Sequence, residues 1–113
     1  MLFRSAELDR MRELALARIP EIFAETLARA GVAGVDTTLV THLDARVDGE
    51  LPPRLGKAAG RIEVSDLLHA GGASLPVLLA RAKEAGRLNS GELVALVTAG
   101  SGASWGCGVV RVP

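Results

Sequence analysis

Residues 93–97 read Leu-Val-Ala-Leu-Val, and this run constrains the fold more than any other stretch. It is apolar at every position rather than at alternate ones. A strand of that kind is buried on both faces, so it needs helices on each side of its sheet. A second largely apolar run, residues 105–112, interrupted by Arg111, comes after a loop of small residues. The pattern predicts an α/β domain with a mixed sheet and helices on both faces. Composition agrees: 49% of the chain is hydrophobic but only 3% aromatic, so the layers are built from Ala, Leu and Val. A chain of 113 residues makes one modest domain and has little material to cover both faces of a sheet alone. A counterpart is therefore expected, either another chain or another half of the same chain.

Thirteen basic and thirteen acidic residues cancel, and no basic block stands out. Nucleic acid is thus excluded as the main partner, because phosphate binding needs clustered Lys and Arg. The single cysteine rules out an internal disulfide framework and fits a reducing, cytoplasmic compartment. No apolar run reaches about 18 residues, so neither a signal peptide nor a membrane span is expected. No cofactor or metal is expected either. Residues 1–5, MLFRS, do not fit the helical pattern beginning at Ala6 and correspond to the translated end of a common sequencing adapter. They are expected to be non-native, with the domain occupying residues 6–113.

From Ala6 to Ala30 the spacing predicts a helix, with a stripe of Leu8, Met11, Ala15, Ile19, Ile22 and Thr26 flanked by Phe23, Leu27 and Ala30. Pro20 should bend or divide it, and Gly31 and Gly34 end it. A short strand is expected at residues 38–41, with His42 at its C-terminal end. Residues 43–50 are polar and ambiguous. Pro52 and Pro53 suit the first turn of a short helix ending near Lys57. A strand at 61–64, a helix at 75–85 opened by HAGGAS and capped by Gly86, and strands at 93–98 and 105–112 complete the chain.

The loop between the last two strands, with Gly100, Gly102, Gly106 and Gly108 around Trp105 and Cys107, admits several readings. A dinucleotide fingerprint fails, since Trp105 stands where the third glycine belongs and a strand succeeds it instead of a helix. A P-loop fails for want of Gly-Lys-Ser/Thr. Cys107 lies inside an apolar strand without a neighbouring cation or helix N-terminus to lower its pKa, so it reads as a structural thiol. A loop whose backbone amides stabilise an oxyanion remains, because small residues let a substrate carbonyl approach closely.

Three stretches together resemble the C-terminal part of the β-ketoacyl-[acyl-carrier-protein] synthase III family, in the thiolase-like superfamily. They are VTHLDAR at 40–46, LLHAGGASLPVLLARAKEAGRL at 67–88 and GELVALVTAGSGASWGCGVVRV at 91–112. The resemblance covers nearly all of residues 6–113. It implies a thiolase-like half-domain, incomplete relative to a five-layer αβαβα fold, with the half that carries the nucleophilic cysteine absent. It also implies decarboxylative condensation of acyl and malonyl thioesters in fatty-acid or polyketide biosynthesis. The partner would be an acyl thioester of coenzyme A or acyl carrier protein, and the full-length protein a homodimer.

Carried over position by position, the resemblance makes His42 the catalytic histidine and puts His69 where the family has asparagine. It puts the oxyanion-hole amide at Ser101, between Gly100 and Gly102. Arg54 matches a basic position for carrier-protein docking, and Arg46 matches the arginine after the catalytic histidine. Departures are present. His69 can take a proton, which asparagine cannot; Leu43, Asp44 and Ala45 replace a polar run; Ala99 replaces a bulky aromatic, which widens the acyl pocket. These changes favour a diverged acyltransferase. Two other readings stay open: a non-catalytic subunit that pairs with a separate chain carrying the cysteine, and an unrelated α/β domain whose His42, His69 and Ser101 lie far apart.

Overall fold

The computed structural model describes residues 5–41, 45–64, 74–100 and 104–113. In chain order the elements are α1 (Ser5–Ala30), β1 (Thr37–Val40), α2 (Ala45–Leu55), a 3-10 turn (Lys57–Ala59), β2 (Arg61–Val64), α3 (Ser74–Glu84), β3 (Leu93–Gly100) and β4 (Ser104–Arg111). The four strands form one sheet in the order β2-β1-β3-β4. β1 runs parallel to both β2 and β3, while β4 returns antiparallel to β3.

Both faces of the central strands are buried, as the continuous apolar run requires. On one face Val40, Ala95 and Val97 pack with α1 residues Ala15, Leu16, Ile19, Phe23 and Leu27 and with α2 residues Val47, Leu51 and Leu55. On the other face Leu39, Val94 and Val112 pack with Ala82 of α3 and with Leu88. The mixed sheet with helices on both faces matches the expectation.

Helix α1 is continuous through Pro20, which does not divide it. A proline inside a helix costs about 3 kcal/mol. Burying Leu16, Ile19, Phe23 and Leu27, each 6% exposed or less, is worth roughly 1.5–3 kcal/mol apiece and outweighs that cost. The buried stripe is displaced from the one read in the sequence: Leu16 belongs to it, and Ala30 is exposed.

Helix α2 is a second correction. It begins at Ala45, so the ambiguous segment is mostly helical, and Pro52 and Pro53 lie near its end instead of in its first turn. The reason is tertiary. Val47, Leu51 and Leu55, four residues apart, form one stripe that packs into the α1 cluster.

The amino ends of the three parallel strands are tied by Asp36. Its N–H donates to the Leu93 carbonyl at 2.9 Å, its carbonyl accepts from the Arg61 N–H at 3.0 Å, and its Oδ2 accepts from the Leu93 N–H at 2.8 Å. Above that knot the buried Thr38 hydroxyl donates to the Ala59 carbonyl at 2.7 Å, joining β1 to the 3-10 turn. Thr38→Val keeps the shape but removes the donor and leaves the carbonyl buried. It should cost about 1–3 kcal/mol, read as a lower urea midpoint with an unchanged slope.

Candidate active site at the strand termini

Because β1, β2 and β3 are parallel, their carboxyl ends leave the sheet on the same side. Val40 sits in register with Val64 of β2 and with Val97 of β3, and the Thr41 N–H donates to the Val97 carbonyl at 3.0 Å. β3 runs three residues beyond Val97 to Gly100, about 10 Å further, where Gly100 pairs with Ser104 at the start of β4. From these ends the chain passes into residues 42–44, 65–73 and 101–103. In open α/β sheets ligands bind in the crevice outside the carboxyl ends of the strands.

His42, His69, Ser101 and Gly102 lie outside the described residues; the described chain delivers their segments to one end of the sheet. Gly100 is the last residue of β3. Arg46 stands in the first turn of α2, at this same end, since residues 42–44 bridge Thr41 to Ala45 in at most about 14 Å. Its Nε donates to Glu50 Oε2 at 2.7 Å and its Nη1 lies 3.8 Å from Asp9 Oδ1 of α1. The guanidinium is half exposed, so these pairs orient it without sealing it. Arg54 is different. It is exposed in the last turn of α2, about 12 Å along the helix from Arg46 and away from the strand termini.

Cys107 lies on β4 opposite Val97, in contact with the α1 cluster. Burial pushes its thiol pKa up, and a hydrogen bond with Thr26 of α1 offsets only part of that. A thiol held protonated is a poor nucleophile. By linkage, the stability it contributes is complete below the ordinary thiol range and falls as pH climbs through the raised folded-state value.

Sequence reasoning singles out neither Glu63 nor Arg87, which are distant in the chain. Glu63, on β2 beside Leu39, is 18% exposed and pairs with Arg87 Nε at 2.8 Å. Arg61 Nε is 4.0 Å from the same oxygen. The other oxygen, Oε2, is buried without a hydrogen-bond partner among the described residues. The pair pins β2, just before residues 65–73, to the turn that succeeds α3. The acidic residue within the short run RIEV is the only trace of it in the sequence.

Comparison with known proteins addresses the family directly. Residues 57–112 match the model of the 3-oxoacyl-[acyl-carrier-protein] synthase III C-terminal domain. The β-ketoacyl-[acyl-carrier-protein] synthase III of Synechococcus elongatus is 34% identical over 102 residues, covering 86% of this chain and 30% of that protein. The solved synthase III of Thermus thermophilus superposes with a TM-score of 0.78 at 22% identity, covering 99% of this chain and 35% of that one. The 3-oxoacyl-[acyl-carrier-protein] synthase III of Aquifex aeolicus gives a TM-score of 0.78 at 23% identity, covering 91% and 35%. The chain therefore spans about a third of the length of the relatives it matches. The fold is a partial thiolase-like one, a four-stranded mixed sheet with helices on both faces. Among the described residues no helix is long and apolar enough to cross a membrane. Motif order, fold and matched region converge: the chain belongs to the β-ketoacyl-[acyl-carrier-protein] synthase III family and carries its C-terminal portion.

Proposed function

We propose that this chain is the C-terminal part of a cytoplasmic acyl-thioester transferase, and that it supplies polar groups to a nucleophilic cysteine carried by the preceding part of a longer polypeptide. In this reading the cysteine takes the acyl group from coenzyme A or acyl carrier protein. His42 and His69 then donate hydrogen bonds to the malonyl thioester oxygen as negative charge develops there. The Ser101 amide, flanked by Gly100 and Gly102, holds the oxyanion of acyl transfer. Fixed donors aimed at developing charge lower the barrier because they need no reorganisation when the charge appears. Arg46, at the same end of the sheet, is suited to the anionic part of the carrier, with Arg54 serving only a large partner that reaches along α2. The same arrangement could pass the acyl group to an oxygen or nitrogen nucleophile.

The observation that carries this reading is the parallel register of Val40, Val64 and Val97. It brings the chain into all three site segments from one end of the sheet.

The nucleophile provides the test. Incubated with acyl-coenzyme A and examined by intact mass, the 113-residue chain should gain no acyl group, because the Cys107 thiol is held protonated against α1. A stoichiometric adduct on Cys107 would contradict the proposal.

A further inference from the structure

Arg46 occupies a position where a cation does nothing for its own helix. It lies in the first turn of α2, where the helix dipole disfavours positive charge. Its partner Glu50 comes four residues after it, which is the weaker order along a helix; the Glu25–Arg29 pair of α1 has the acid first. The segments 42–44, 65–73 and 101–103 contain Asp44 and Asp66 but no Lys or Arg, so Arg46 is the first cation the chain reaches after His42. Two carboxylates from two elements hold its guanidinium. Glu50 Oε2 accepts from Nε at 2.7 Å, which closes the Nε edge to a second anion, and Asp9 Oδ1 lies 3.8 Å from Nη1. Asp9 is in turn tied to α1 by Arg12 Nη1 at 3.0 Å. Arg46 is 45% exposed, Glu50 44% and Asp9 56%, so an incoming anion competes with both carboxylates from solvent. Only when Glu50 leaves can that edge of Arg46 form the two parallel bonds that grip an anion best.

We infer that Asp9 and Glu50 are specificity-determining residues: they weaken the hold of Arg46 on the acidic surface of an acyl carrier protein and so bring carrier-protein and coenzyme A thioesters closer in affinity. This rests on the proposed function, in which Arg46 meets the carrier. Position favours the protein carrier as the ligand that feels them. Arg46 and the exposed Arg54 stand about 12 Å apart along α2, a span that a protein surface covers and a single phosphate group does not. Each carboxylate acts twice, by occupying a donor of Arg46 and by cancelling its charge. For half-exposed pairs the effect is about two- to fivefold in affinity apiece.

The test uses a protein joining the N-terminal portion of the Synechococcus elongatus synthase III to residues 6–113. Binding of holo-acyl carrier protein and of coenzyme A is measured without turnover, and malonyl-dependent condensation is followed on the same samples. Glu50→Gln should tighten carrier-protein binding about two- to fivefold, lower the KM for it alike, hold kcat, and leave coenzyme A binding where it was. Asp9→Asn should act in the same direction, and both gains should shrink at high salt. Neither change should matter in an Arg46→Met background, which separates an effect through Arg46 from a general change of charge. Unchanged or weaker carrier-protein binding in Glu50→Gln overturns the inference; so does equal tightening of coenzyme A, or a gain that survives Arg46→Met. A second measurement needs only the 113-residue chain, in which phenylglyoxal modification of each arginine is read by peptide mass. Arg46, with its Nε edge occupied, should react more slowly than Arg54 and several-fold faster once Glu50 is glutamine. Equal Arg46 rates in parent and variant also overturn the inference. Condensation judges the proposed function separately: the expected binding pattern without turnover sinks the catalytic reading alone, and turnover with unaltered carrier binding sinks this inference alone.

Discussion

Gly60→Ala should destabilise the domain by about 4 kcal/mol, the largest effect expected of any single methyl group. Gly60 sits at φ 61° and ψ −138°, a region closed to residues with a β-carbon. An added Cβ would lie 2.3 Å from the Asp36 carbonyl oxygen and 2.6 Å from the Val35 carbonyl oxygen. These backbone atoms cannot retreat cheaply, because the same Asp36 carbonyl accepts from Arg61 and Asp36 is bonded twice to Leu93. Backbone strain of about 1–3 kcal/mol and overpacking of about 1–3 kcal/mol add. The sum is a large share of the roughly 5–15 kcal/mol that holds a domain together. Thermal unfolding should shift down by roughly 15 °C or more. Gly56 provides the control: it also has a positive φ, 74°, but an added Cβ meets nothing within 4 Å. Gly56→Ala should cost only about 1 kcal/mol. Equal losses at the two positions would show that the Asp36 knot yields and does not organise the sheet.

His42→Ala should lower condensation by roughly 10²–10⁴-fold in the joined protein while leaving formation of the acyl-enzyme almost unchanged. The split comes from the chemistry. The imidazole is assigned to the charge that develops on the malonyl thioester, a step after the cysteine has been acylated. Pre-steady-state acylation monitored by intact mass reads the first step, and malonyl-dependent product formation reads the second. Stability should move little, since His42 comes after β1, which ends at Val40. Equal loss in both steps would assign His42 to the nucleophile instead of to the malonyl thioester.

Physical range decides how much of the fold is legible in the sequence. The run at 93–97 and the short strand at 61–64 can be read because strand burial leaves a local signature. β3 and β4 each extend slightly beyond it, since small residues such as Gly100 and Ser104 pair through the backbone and leave no hydropathy signal. Helix α2 is misread because two prolines are a strong local signal, whereas the stripe Val47, Leu51, Leu55 counts only once α1 is there to receive it. Leu16 enters the core for the same reason: which face of α1 is inward depends on the sheet. His42, Ser101 and Arg46 are proposed from the family resemblance, carried over position by position. The Glu63–Arg87 pair cannot, because two charges far apart in sequence meet only through the β2-α3-β3 path. Arg54 shows the converse, a plausible residue type whose position along α2 sets it apart from the strand termini.

Convergence at one end of the sheet is the central requirement, and a cysteine-pair crosslink measures it most directly. In a Cys107→Ala background, His42→Cys combined with Ser101→Cys should be bridged rapidly by a short rigid bis-maleimide in the folded 113-residue chain. His42→Cys combined with Arg54→Cys, at the far end of α2, should be bridged slowly if at all. Rapid bridging of the first pair alone is the predicted result. Comparable rates for the two pairs, or bridging of the second alone, would contradict a shared site for His42 and the loop at Ser101.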